Sequence, residues 1–280
     1  MKNIIIESDL LIDLMCTENG VLKKNRSKHR AVKTKSINGV NKTQIVLEKD
    51  NEYGKPEGEY ITYETDAPFV GANSIAEGMA EDFKRLFRGK NNILIVGIGN
   101  NYLISDALGP IVVTKLEPPS AYTKKVYKIT PNVEGNTGIE SVDLINMAIA
   151  LSKPDLVVVI DSLASRNFDR IGRSFQISTG GIVPGSGSGK RNQAELTEKT
   201  LGVPIVAIGV PIVVHFKSYL FELISTIELN KESSFKAYDF IGKSNSLSGV
   251  ILAPKEVDMI VEYSASIIAS AINRVLVKWQ

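Results

Sequence analysis

The stretch KPDLVVVIDSLASR, residues 153–166, decides how the chain folds. Its centre is an unbroken apolar run, closed in front by Pro154 and Asp155 and behind by Asp161. Alternating apolar and polar residues mark a strand with one wet face, whereas an unbroken run of this length suits a strand covered on both faces. NILIVGIG, residues 92–99, has the same character. Between the two lie ALGPIVVTKL (107–116), the strand KKVYKIT (124–130) and the helix GIESVDLINMAIALSK (138–153). The first of these is a helix that tolerates Pro110 in its opening turn. Further on, SFQIST (174–179) and PIVAIGVPIVV (204–214) are strands, and PKEVDMIVEYSASIIASAINRVLVKW (254–279) is a long C-terminal helix. Strands alternating with helices predict an α/β fold, a mostly parallel sheet flanked by helices on both faces.

Residues 1–70 have a different character. Two β-rich runs, 43–49 and 59–65, surround a Gly/Pro turn segment and predict a small N-terminal antiparallel β-ribbon. NSIAEGMAEDFKRLFRG (73–89) then reads as a helix. Ser74 and Glu77 have capping-box spacing, Ile75, Met79, Phe83 and Leu86 form an apolar stripe, and Gly89 is the stop. The expected organisation is a β-rich segment, 1–70, packed on an α/β catalytic domain, 71–280, as one structural unit. The Gly/Ser-rich stretch 179–200 and the polar segment 229–249 read as surface connections.

The bulk numbers exclude several classes. Among 280 residues, 43% are hydrophobic and 23% charged, and the formal net charge is +2. That balance gives no support to a nucleic-acid partner. The basic run KKNRSKHRAVKTK (23–35) is expected to be a solvated loop or the face of an edge strand. One cysteine, Cys16, forbids an intramolecular disulfide and fits a reducing compartment. The N-terminus lacks a signal-peptide pattern, and no run of about 20 apolar residues offers a membrane span. A cytoplasmic location is expected. With only His29 and His215, a multi-histidine metal site is not expected, nor is a cofactor.

In open parallel sheets, chemistry gathers at the carboxyl ends of the strands. Two aspartates are expected there: Asp106, shortly after the 93–98 strand, and Asp161, at the end of the 155–160 strand. Either alone is more simply read as the cap of a following helix. If the strands are neighbours, the two carboxyls can converge. Like charges then push one pKa up and the other down, so one group can activate a water while the other protonates the leaving group. That chemistry hydrolyses amides. The glycine motifs fail as phosphate loops. Tyr102 stands where a dinucleotide fingerprint needs its third glycine, and Pro184 and Arg191 break the P-loop pattern. The loop 185–189 could still shape a substrate cleft. Ser186 and Ser188 have no histidine nearby in sequence to make a triad, and His215 is kept only as a residue of the site wall.

Several long words of the sequence resemble the germination proteases of endospore-forming bacteria: ILIVGIGN followed by SDALGP, GNTGIES, KPDLVVVIDSLASR, FQISTGGIVPGSGSGKRN, KTLGVPIVAIGVPIVV and APKEVDMIVEYSASIIAS. SDLLIDL and YGKPEGEYITYE match more loosely. The resemblance implies an atypical aspartic endopeptidase that degrades small acid-soluble spore proteins at germination, with its two essential aspartates at Asp106 and Asp161. It implies a fold related to hydrogenase-maturation proteases and the phosphorylase/hydrolase-like class, and a homotetramer in the spore core. It also implies a zymogen that trims its own N-terminus. The chain departs from the family pattern by being short between 217 and 248, by having His215 where an acidic residue is frequent, and by having about seven residues ahead of SDLLIDL. A metal-dependent hydrogenase-maturation-like peptidase and an inactive relative that binds spore proteins are the alternatives.

Overall fold

The computed structural model describes residues 8–15, 29–117, 125–183, 195–227, 231–247 and 249–277. In chain order the first elements are α1 (Leu11–Met15), the strands β1 (His29–Ile37), β2 (Val40–Leu47) and β3 (Gly58–Thr65), and α2 (Ala72–Leu86). Next come β4 (Asn92–Gly97), α3 (Leu108–Thr114), β5 (Lys125–Ile129), the single turn α4 (Glu134–Thr137), α5 (Ser141–Ser152) and β6 (Leu156–Ser165). The chain continues with β7 (Ser174–Ser178), the turn α6 (Glu198–Leu201), β8 (Ile205–His215), α7 (Phe216–Thr226), α8 (Lys231–Lys243), β9 (Ile251–Leu252) and α9 (Val257–Leu276).

Among the described residues nine strands form one sheet, in the order β1-β2-β3-β7-β8-β6-β4-β5, with β9 paired to β8. The four strands β8-β6-β4-β5 are parallel, as their apolar runs predict. The N-terminal ribbon is antiparallel, and it extends this same sheet, because β3 pairs with β7 and β7 with β8. The described part of the basic run belongs to β1, the outermost strand on that side.

Each strand face has its own core. On one side, even-numbered β6 residues such as Val158 and Ile160 pack with α2, α3 and α9 through Phe83, Val112 and Ile268. On the other, Val157 and Val159 pack against α5 through Ile145. The chain therefore leaves β4 for β5 over the α3 face and returns to β6 over the α5 face. The gap between β4 and β6 is the switch point of the parallel half, where a crevice opens beyond the strand ends.

Three sequence readings are corrected. Helix α2 starts at Ala72 behind Gly71, which takes a left-handed φ of 75°, so Ser74 lies inside the first turn and its capping box with Glu77 is not formed. The polar segment 229–249 carries α8, whose Tyr238 rests on Phe221 of α7. Finally, α9 is long and apolar enough to cross a bilayer by length and composition. Its buried residues, from Ile260 to Leu276, lie in the core of the α2–α3 face.

Where α3 meets the sheet, the junction is glycine on backbone. A Cβ on Gly109, in the first turn of α3, would overlap the carbonyl oxygens of Ile98 and Ile160, and one on Gly97 would overlap Gly109. Neither obstacle is a flexible side chain, so G109A is expected to destabilise the fold by about 3 kcal/mol or more, seen as a lower urea midpoint with an unchanged m-value. A midpoint equal to that of the parent would refute this contact.

Candidate active site

Asp106 is placed by the turn that links β4 to α3. Gly99 takes φ 129°, and a Cβ there would overlap the carbonyl of Asp106, so the loop can close only on glycine. The chain then runs through a 3-10 turn, Ile104–Asp106, with the Asp106 N–H donating to the Leu103 carbonyl at 2.8 Å. A capping aspartate would accept from the first N–H groups of α3. Instead Asp106 Oδ2 accepts from the backbone N–H of Asn100 at 3.0 Å, back across its own loop. Burial pushes the Asp106 carboxyl above the usual aspartate range, and the Asn100 hydrogen bond offsets part of that rise.

Asp161 sits within β6, which runs on to Ser165, and it is 2% exposed. Its neighbour on one side is Gly209 of β8. On the other side β4 has just ended, its Gly97 facing Ile160. Strand alternation turns the Asp161 side chain toward the α5 face, with Val157 and Val159. Its Oδ1 accepts the N–H of Ser162 at 2.8 Å. Like Asp106, it caps no helix.

The segments that carry the two aspartates adjoin at one backbone group. The Ile160 carbonyl accepts the N–H of Ile98 at 2.8 Å, and Gly109 of α3 lies directly against it. Asp161 follows that carbonyl, and Asp106 leads into the helix that rests on it. Both carboxyls thus belong to the exits of adjacent parallel strands. His215 does not join them. It lies at the far end of β8, opposite Ile251 of β9. Cys16, Ser186, Ser188, the 185–189 loop and residues 23–28 of the basic run fall outside the described residues.

Two polar groupings were not anticipated. The first is a chain of amides leading to Asp106. Asn136 Nδ2 donates to Asn100 Oδ1 at 2.9 Å and to Asn132 Oδ1 at 3.0 Å, and Asn132 holds a left-handed φ of 62°. Asn136 lies in the word GNTGIES, so the sequence carried a signal for it, though not for its contact with Asn100.

The second grouping anchors residues 8–15 just past Asp161. Asp9 Oδ2 accepts the N–H of Ala164 at 2.7 Å, and the Leu11 N–H donates to Gln176 Oε1 at 2.9 Å. Asp13, 1% exposed, accepts from Ser8 Oγ at 2.6 Å and Ser165 Oγ at 2.8 Å and pairs with Arg170. Arg170 also pairs with Glu64 of β3, whose carboxyl is pushed up by burial against the pull of that guanidinium. Among the described residues no group of three or more His, Cys, Asp or Glu side chains could hold a metal ion.

The raised Asp106 carboxyl has a measurable sign. A folded state that holds the proton more tightly than the unfolded chain loses stability as pH rises from the ordinary aspartate value, about 3.9, through the raised one. D106N keeps an acceptor for the Asn100 N–H and removes the charge. It is expected to raise the melting temperature at pH 7, by about 2 °C for each kcal/mol regained, with the gain shrinking as pH is lowered toward 4. A gain that does not change with pH would contradict the burial effect.

Comparison with known proteins places the sequence in a family. The family model described as germination protease matches residues 12–229. A germination protease of Caldanaerobacter subterraneus subsp. tengcongensis is 29% identical over an alignment that covers 97% of this chain and 95% of that protein. One from Clostridium acetobutylicum is 34% identical, with 86% of each chain covered. Among solved structures, the NiFe hydrogenase maturation protease HycI from Thermococcus kodakarensis aligns over 68% of this chain and 98% of its own, at 21% identity and a TM-score of 0.38, a likeness too slight to bear on the site. The match over most of its length means that this chain belongs to the germination protease family.

Proposed function

We propose that this chain is an aspartic-type endopeptidase that hydrolyses small acid-soluble spore proteins at germination, with Asp106 and Asp161 as its catalytic pair. The observation that supports this reading is the close approach of the two aspartate-bearing segments at the Ile160 carbonyl, at the switch point of the parallel strands. Neither serves as a helix cap, and one is a carboxyl that burial keeps more readily protonated.

In this reading the two carboxyls divide the work. Asp161, with one oxygen accepting the Ser162 N–H, takes a proton from water. The water oxygen attacks the peptide carbonyl carbon. Asp106, in its protonated form, hydrogen-bonds the carbonyl oxygen as negative charge builds there, and then gives its proton to the departing amine. Asn100, held by Asn136, fixes the Asp106 carboxyl through its backbone N–H.

The resemblance to the family supports the remaining features: a homotetramer, a zymogen form and a place in the spore core. Residues 1–70 are read as a β-rich segment that forms one unit with the catalytic domain 71–280, a reading supported by the β3–β7 pairing. D106N and D161N, made separately, are each expected to lower kcat/KM for a purified small acid-soluble spore protein by about 100-fold or more, measured by mass spectrometry of the cleavage products. Full activity in either variant would sink the pair.

A further inference from the structure

The three asparagines that lead to Asp106 hold one another in a fixed order. Asn100 Oδ1 accepts the N–H of Tyr102 at 2.9 Å, and Asn132 Oδ1 accepts the N–H of Val133 at 2.9 Å. A backbone N–H can only donate, so these two bonds identify the oxygen of each amide. Asn136 Nδ2 then gives both of its hydrogens to those same oxygens, at 2.9 and 3.0 Å. Every amide orientation is thereby settled, and what each has left alternates. Asn100 keeps its N–H donors, Asn136 its oxygen and Asn132 its N–H donors. Among the described residues none of these three groups has a hydrogen-bond partner. Asn136 is exposed, Asn100 and Asn132 are half-buried, and neither of their unpaired nitrogens is sealed from solvent. The row is also fastened at both ends. The Asn100 N–H donates to Asp106 Oδ2 at 3.0 Å, and Ser141 Oγ donates to the Asn132 carbonyl at 2.6 Å.

We propose that Asn100, Asn136 and Asn132 form a row that binds the main chain of an extended polypeptide substrate beside Asp106. One edge of an extended chain shows C=O, N–H and C=O in succession. That is the complement of the donor, acceptor and donor that the row presents. The occupant is a substrate segment because the row starts at the residue whose backbone N–H holds the Asp106 carboxyl. Contacts to the main chain grip a polypeptide whatever its side chains are. Amides already locked by their neighbours lose little freedom when they bind, so their hydrogen bonds are not offset by ordering. The inference rests on the catalytic reading of Asp106 given above. It adds to that reading a direct contact with substrate, where the asparagines otherwise only steady the carboxyl.

The test uses a peptide spanning the bond that the protein cleaves in a small acid-soluble spore protein. A series of the same peptide has one backbone N–H at a time, outside the scissile bond, replaced by an ester oxygen. With the intact protein, one ester position is expected to raise KM about 10-fold, while its neighbours change it less than about twofold. N132D keeps the oxygen that Val133 and Asn136 use, suits the left-handed φ of 62°, and turns the outer donor into an acceptor. It is expected to raise KM for the all-amide peptide about 10-fold and to leave kcat within about twofold. N132G adds no charge and is expected to share the rise; melting curves report whether both variants fold. A flat ester series, or an unchanged KM in N132D, would overturn the row. So would a rise confined to N132D, which charge repulsion alone would produce. A fall in kcat at unchanged KM would also overturn it, since the amides would then serve only to hold Asp106. Binding of the peptides to D106N, followed by fluorescence anisotropy, keeps the two readings apart. Full turnover in D106N removes the aspartate mechanism, whereas an inactive D106N that binds the ester and amide peptides alike removes the row alone.

Discussion

The architecture hangs on a contact in which no side chain takes part. Gly109 of α3 lies on the carbonyl oxygens of Ile98 and Ile160, and Gly97 lies under Gly109. Protein interiors resist even a single added methyl where backbone meets backbone, since neither partner can rotate away. That closeness lets α3 begin directly above the exits of β4 and β6. The loop before α3 is correspondingly short, and Gly99 closes it in a conformation that other residues rarely adopt. The position of Asp106 is a by-product of this packing: a looser helix would carry the carboxyl away from the strand that bears Asp161.

Much of this was legible in sequence because it is local. The unbroken runs at 93–98, 156–160 and 205–214 could only be buried strands, and their alternation with helices fixed the parallel half of the sheet. The stripe Ile75, Met79, Phe83 and Leu86 was equally readable: the first three side chains are buried in α2, and Leu86 packs partly buried against the same core. The start of that helix was not, because Gly71 admits the chain through a left-handed residue and displaces the expected cap. Helix α8 was hidden for another reason. Its sequence, KESSFKAYDFIGK, is polar over most of its surface, so composition suggested a connection. The few apolar contacts that hold it, such as Tyr238 on Phe221, are tertiary.

The candidate site divides along the same line. Asp106 could be picked out by its position after a strand, whereas Asp161, read as closing its strand, lies inside β6, which continues in pairing with β8 to Ser165. The supporting polar groups could not be picked out, since each bond joins residues far apart in the chain. Asp13 meets Ser165 and Arg170, Arg170 meets Glu64, and Asn136 meets Asn100. Nothing about Asp13 in sequence distinguishes it from a surface carboxylate, yet it is buried and paired. An ion pair so desolvated is weak support for stability as a whole, but removing one partner leaves an uncompensated charge behind. The network therefore fixes where residues 8–15 lie more firmly than it strengthens the fold.

Among the described residues, the sheet that incorporates its N-terminal ribbon ends on two outer strands, β1 and β5. Unpaired N–H and C=O groups on such strands are templates for any extended chain, and a protease meets extended chains as part of its work. Both outer strands are rich in basic residues: HRAVKTKSI in β1 and KVYKI in β5, with Lys35, Lys125 and Lys128 exposed. A second strand docking there would have to bury ammonium groups that water solvates well. Lysines on both outer strands thus disfavour the addition of a further strand at these edges.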